Sequence, residues 1–160
     1  MTLIVPPELM RQLRTHAESS YPEEGAGLLM GLVDGESRVV KAVYELSNAR
    51  ESGARHNRYL ITPHDMLRAE DEAAQRGMDV LGVFHSHPDH PNRPSDFDRQ
   101  WAMPWFSYLI TSVESGRATG SRSWRLMEDR GSFFEEQIES KTPGALTRMK
   151  ASSTGESAEI

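Results

Sequence analysis

The segment with the most chemistry in it is His85-Ser86-His87-Pro88, followed by Ser95 and Asp98. In a strand, residues two apart point to the same face, so both imidazoles can aim at one point. Asp98 follows eleven residues after His87, across a loop stiffened by Pro88, Pro91 and Pro94. A loop of that length can turn back and present its carboxylate to the same point. Two imidazoles and one carboxylate make a three-ligand metal set with a fourth tetrahedral position open to water. Imidazole suits zinc, copper, iron or nickel, and hydrolysis without redox favours Zn2+. Zinc lowers the pKa of its water to about 7 and polarises a carbonyl.

Such a route needs a base that is not itself a ligand. Glu24 precedes an apolar run opening at Gly27, so it can sit at the edge of a strand beside the His-bearing one. It would take the water proton and pass it to a leaving amine. Glu23 is also eligible as a loop acid, and the spacing to Gly27 favours Glu24. Ser95 can donate its hydroxyl to a developing oxyanion. It can also cap a helix, since Ser-x-x-Asp is a helix start, and the two roles are compatible. His90 as a fourth ligand would close the metal site, so it is read as a loop residue near the cleft. His16, His56 and His64 have no partner spacing and are assigned to the surface. Trp101, Trp105 and Phe106 are read as core packing rather than a substrate surface.

Elements must position these groups. Pro6 and Pro7 open a helix that carries Leu9, Met10, Leu13 and Ala17 at helical spacing. Strands are expected at 27–33 and 38–46, joined by an Asp34-Gly35 turn, and a short one at 59–61. A polar loop spans Asn48 to Asn57. Thr62, Pro63 and Asp65 start a second helix that stops at Gly77. The most apolar strand is 79–85, followed by a Pro-rich loop from His87 to Pro94. A short helix from Ser95 to about Trp101 and strands at 106–112, 124–127 and 133–136 complete the order. This order predicts an α+β fold, a mixed sheet with helices packed on it.

The 160 residues fit one domain, and the absence of cysteine excludes thiolate chemistry and a disulfide framework. A formal charge of -6 argues against nucleic-acid or anionic-membrane binding. The N-terminus lacks a signal-peptide pattern, and no apolar run of about 18 residues occurs. A cytoplasmic protein is expected. Residues 1–138 are read as the domain and 139–160 as a disordered, Ser/Thr/Gly-rich tail.

Glu24-Gly25-Ala26-Gly27-Leu28-Leu29-Met30-Gly31, then His85-Ser86-His87-Pro88, then Ser95-Asp96-Phe97-Asp98 resembles the JAMM or MPN+ (Mov34/MPN/PAD-1) zinc metalloprotease family, in its small prokaryotic form. The resemblance spans roughly residues 3 to 136, including Asn48. It implies a curved, mostly antiparallel sheet flanked by helices, of cytidine-deaminase-like type. It implies hydrolysis of the amide or isopeptide bond after the C-terminal Gly-Gly of a ubiquitin-like or sulfur-carrier protein, by a zinc-bound water that Glu24 activates. The long zinc-bearing insertions of eukaryotic deubiquitinases are missing, which favours a sulfur-carrier-type or other simple ubiquitin-like substrate. Ala26 stands where many members carry Cys, at what reads as a packing position. The competing reading is a metal-free MPN scaffold that binds proteins, against which all metal positions present here count. A homodimer is left open, as are the group after Gly-Gly and the role of the tail.

Overall fold

The computed structural model describes residues 1–46 and 61–142. In chain order the elements are β1 (Thr2–Ile4), α1 (Pro7–Ser20), β2 (Ala26–Asp34), β3 (Ser37–Leu46), α2 (Pro63–Gln75), β4 (Asp79–Pro88), α3 (Asp96–Trp101), β5 (Ser107–Glu114), β6 (Arg117–Leu126) and β7 (Phe133–Glu139). The strands follow the spatial order β1-β3-β2-β4-β5-β6-β7, and β1 also pairs with β7, so the curved sheet closes on itself. Pairing is antiparallel for β2–β3, β2–β4, β5–β6 and β6–β7, and parallel for β4–β5 and both contacts of β1. The α+β expectation, with a mostly antiparallel curved sheet, matches this architecture.

The two long helices pack on opposite faces because side chains alternate along each strand. Phe84 of β4 faces α1, joining Met10 and Leu13 with Leu3, Val5, Leu29, Val40 and Leu109. Val83 faces the other way, toward Ala69 of α2, Ala26 and Leu28. Burying a Phe or Leu side chain contributes about 1.5–3 kcal/mol, so this parity sets the register of β4 firmly. His85 and His87 share Val83's parity and lie on the α2 side. Ser86 shares Phe84's and faces α1.

The sequence reading missed or shortened several elements. The N-terminal Thr2–Ile4 is a strand. Its three residues are too few for an alternation pattern, and they are held by parallel partners far along the chain. β4 runs on through Pro88 instead of giving way to a loop at His87, because β5 pairs beside it as far as Val113. β6 begins at Arg117, well before Trp124. Its small polar residues show no apolar period, and the Ser115-Gly116 turn, with φ of 49° and 87°, starts it as a tight hairpin. The expected strand at 59–61 lies mostly outside the described residues, as do the Asn48–Asn57 loop and the chain after 142. β7 reaches Glu139, one position past the expected end of the domain.

Candidate metal centre and cleft

The β2–β4 register aligns the site. Ala26 pairs with His85. The Ser86 N–H donates to the Gly25 carbonyl at 3.0 Å. Continued by one residue, the ladder sets Glu24 beside His87. Residues directly opposite in an antiparallel pair share a face, so Glu24, Ala26, His85 and His87 all point the same way. Ala26, 2 % exposed, leaves room for the imidazole across from it, in keeping with a packing role.

Asp98 arrives from α3. Ser95 is the N-cap: its hydroxyl oxygen accepts from Asp98 N–H at 3.1 Å, and its own N–H donates to Asp98 Oδ2 at 2.8 Å. The capping box that starts the helix therefore also aims the carboxylate. Asp98 Oδ1 lies 3.3 Å from His85 Nε2, and Oδ2 lies 3.3 Å from His87 Nε2. The two Nε2 atoms are 3.1 Å apart. All three side chains are buried.

These distances fit a metal ion. Tetrahedral zinc with bonds of about 2.0–2.1 Å spaces neighbouring ligand atoms roughly 3.3 Å apart. Two nitrogen lone pairs facing each other repel unless a proton or a cation lies between them. The His87 Nδ1–H donates to the Pro91 carbonyl at 2.7 Å. That bond leaves the Nε2 lone pair turned to the centre, the usual outer-shell arrangement for a ligating histidine. Among the described residues, this is the only group of His, Asp or Glu side chains close enough to share an ion.

The electrostatics follow from one carboxylate serving two imidazoles. Burial lowers the His85 pKa, and the Asp98 charge does not fully offset it. Burial also works against protonated His87, but hydrogen bonds to Asp98 and Pro91, with the charges of Asp98 and Glu24, raise its pKa overall. Burial raises the Asp98 carboxyl, while both imidazoles and the Ser95 N–H more than compensate and hold it well below the usual carboxylate range.

Glu24, 6 % exposed, lines a cleft of about 330 Å³ together with His87, Pro88, His90, Pro91, Arg93, Ser95 and Asp98. Glu23 is not among the lining residues. Ser95 is exposed, and His85 is fully buried beside His87 and Asp98 without lining the cleft itself. His90 sits on the exposed loop and outside the His85–His87–Asp98 group, as expected. His64 is exposed, whereas His16 departs from the surface assignment. Its side chain is only 15 % exposed and meets the Phe84 ring edge-on, because α1 turns that flank into the sheet. His56 is outside the described residues. Phe106 is core, but Trp101 and Trp105 are 69 % and 53 % exposed. Trp101 is the last residue of α3, and Trp105 lies in the turn before β5.

Several supporting residues escaped sequence reasoning. The loop after β4 is pinned at successive positions: Asp89 N–H to Val113 O at 2.7 Å, Ser112 hydroxyl to His90 O at 2.9 Å, and Trp124 indole N–H to Asn92 O at 3.0 Å. The Tyr21 hydroxyl and Ser115 N–H both donate to the Asp89 carboxylate. A lone indole in a polar strand was the one signal available for Trp124.

An α+β sheet with paired histidines on one inner strand and an aspartate at a following helix start is the arrangement expected of a JAMM/MPN-type metallopeptidase. The comparisons agree. Residues 6–127 match the family described as prokaryotic homologs of the JAB domain. A "Probable TtuB-protein conjugate cleaving protease" of Thermus thermophilus is 32 % identical over 121 residues, 74 % of this chain and 75 % of that one. A desampylase of Pyrococcus furiosus is 33 % identical over 127 residues, 79 % and 83 % of the two chains. The solution structure of a protein from Desulfitobacterium hafniense superposes with a TM-score of 0.76 at 34 % identity, covering 88 % of this chain and 93 % of that one. The chain belongs to the prokaryotic JAB family and is an enzyme, a peptidase of the JAMM type.

Proposed function

We propose that the protein is a zinc metallopeptidase that hydrolyses the amide or isopeptide bond after the C-terminal Gly-Gly of a ubiquitin-like or sulfur-carrier protein. The observation that carries the reading is the convergence of His85, His87 and Asp98 at ligand spacing in a cleft that Glu24 also lines. Relatives named for cleaving protein conjugates support the substrate class.

His85, His87 and Asp98 would hold the ion. Zinc bound there would acidify a water and polarise the scissile carbonyl. Glu24 takes a proton from the attacking water as its oxygen bonds to the carbonyl carbon. It returns that proton to the leaving nitrogen as the C–N bond breaks, giving a carboxylate and an amine. Ser95 donates its hydroxyl to the oxygen that gains charge. β2 and β4 are paired on both sides at the cleft. Among the described residues, one sheet edge open to an extended tail is β3 beyond Val39, whose end, Leu46, lies level with Ala26. Glycines suit such a tail because they bring no side chain to the narrow cleft.

The test is to incubate the purified protein with carrier proteins extended beyond Gly-Gly, with and without a chelator. Cleavage after Gly-Gly, seen by mass, is expected to stop with the chelator and return with zinc. Chelator-resistant cleavage, or cleavage of short peptides alone, would overturn the assignment.

A further inference from the structure

Glu24 precedes the first residue of β2, at a place where a strand end would ordinarily fray. We infer that Ser86, the residue between the two histidines, is the positioning residue that holds Glu24 in register with His87. Its hydroxyl accepts the Gly25 N–H at 2.8 Å, while its own N–H donates to the Gly25 carbonyl at 3.0 Å. One residue thus takes both backbone groups of Gly25, through its main chain on one side and its side chain on the other. Ser86 is 1 % exposed, so its hydroxyl sits where water cannot stand in for it. A buried, unsatisfied N–H is costly enough to release this short segment from the sheet.

The far side of the segment is filled too. A Cβ built on Gly25 would lie 2.7 Å from Ser20 Oγ and 3.1 Å from His16 Cδ2, both in the last turns of α1. Ser20 is itself tied down, its hydroxyl donating to His16 O at 2.8 Å. Gly25 is therefore held between Ser86 and α1, and its neighbour Glu24 is turned to the opposite, metal-facing side. Because Ser86 points away from the metal-facing side of β4, its effect on rate has to pass through Gly25.

This inference rests on the base role proposed for Glu24, and the experiment separates the two. Ser86→Thr keeps the acceptor oxygen; Ser86→Val has nearly the same shape without it, and Ser86→Ala removes both oxygen and bulk. Each is assayed for kcat, KM, bound metal and thermal midpoint, beside Glu24→Gln. The valine and alanine variants should lose on the order of 10- to 100-fold in kcat, the usual range for a supporting contact. KM and metal content should stay near the parent's, and threonine should recover most of the rate. Valine or alanine turning over like threonine would overturn the positioning role. If one of the two fails to fold, the other carries the comparison with threonine. A drop in metal content parallel to the rate would also overturn it, since Ser86 would then serve the histidines. Full activity in Glu24→Gln would instead remove the base reading itself.

Discussion

The His85 imidazole and the Asp98 carboxylate meet at 3.3 Å, Nε2 to Oδ1, with 0 % and 5 % of their side chains exposed. One comes from an inner strand and the other from the first turn of a separate helix. Their meeting depends on the capping box of α3, which makes helix initiation and placement of the carboxylate one event.

Asp98→Ala should therefore fail in two ways. Metal content, measured on the purified protein, should fall to background, as it should for His87→Ala. The unfolding free energy from denaturant titration should also drop, by about 1 kcal/mol from the lost cap interaction alone. Wild-type metal content in Asp98→Ala would remove the aspartate from the ligand set.

Glu24→Gln should retain the metal and the fold and lose turnover by on the order of 10²–10⁴, the range for a positioned acid–base group. Glutamine keeps the shape of the cleft wall but cannot accept the proton. Steady-state kinetics with matched metal analysis decides this.

Ser95 has a helix to cap and a hydroxyl to donate, and two variants part these roles. Ser95→Ala should cost about 1 kcal/mol in stability, whereas glycine at an N-cap costs only a few tenths. Both should lose roughly 10²–10³ in kcat if the hydroxyl serves the oxyanion. A rate that tracks stability across the pair would mean that Ser95 only caps.

Tyr108 links alkaline stability to the end of α3. Its hydroxyl accepts the Met103 N–H at 2.6 Å, and burial pushes its pKa up to about 12. The unfolded phenol ionises near 10. A raised pKa means that the contribution is complete below pH 10 and is lost as pH rises toward 12. Unfolding free energies measured by denaturant across that window should fall, by on the order of 2 kcal/mol at its top. The fall should be smaller in Tyr108→Phe.

Gly82 pairs with Ser107 where the parallel β4–β5 contact begins, and a Cβ there would lie 1.9 Å from the Ser107 carbonyl oxygen. Backbone cannot give way as a side chain can. Gly82→Ala should be among the most damaging single changes, roughly 4 kcal/mol or an insoluble product. Near-normal melting would show that the two strands can separate without loss.

Much of the site was legible because its signals are local. The His-x-His spacing states a shared face, and Ser-x-x-Asp states a helix start with an acid in its first turn. β4 declared itself by a continuous apolar run, and α1 and α2 by their period and their proline starts. Less visible was whatever depends on partners distant in the chain. β1 and the first half of β6 have no pattern of their own, and neighbouring strands recruit them. Trp101 and Trp105 have core chemistry, yet both stay exposed among the described residues. His16 lacks any motif and is half-buried only because α1 seats it against Phe84.

The sequence alone determined which atoms could bind a cation and which neighbours would be locally rigid, since side-chain parity and helix capping act over a few residues. Tertiary structure decided the rest. The β2–β4 pairing brings the segment before β2 level with His87, and the loop tethers to β5 and β6 bring Asp98 back over the imidazoles. Those choices depend on long-range packing of Phe84 against α1 and Val83 against α2, and no short window of sequence contains both sides of that contact.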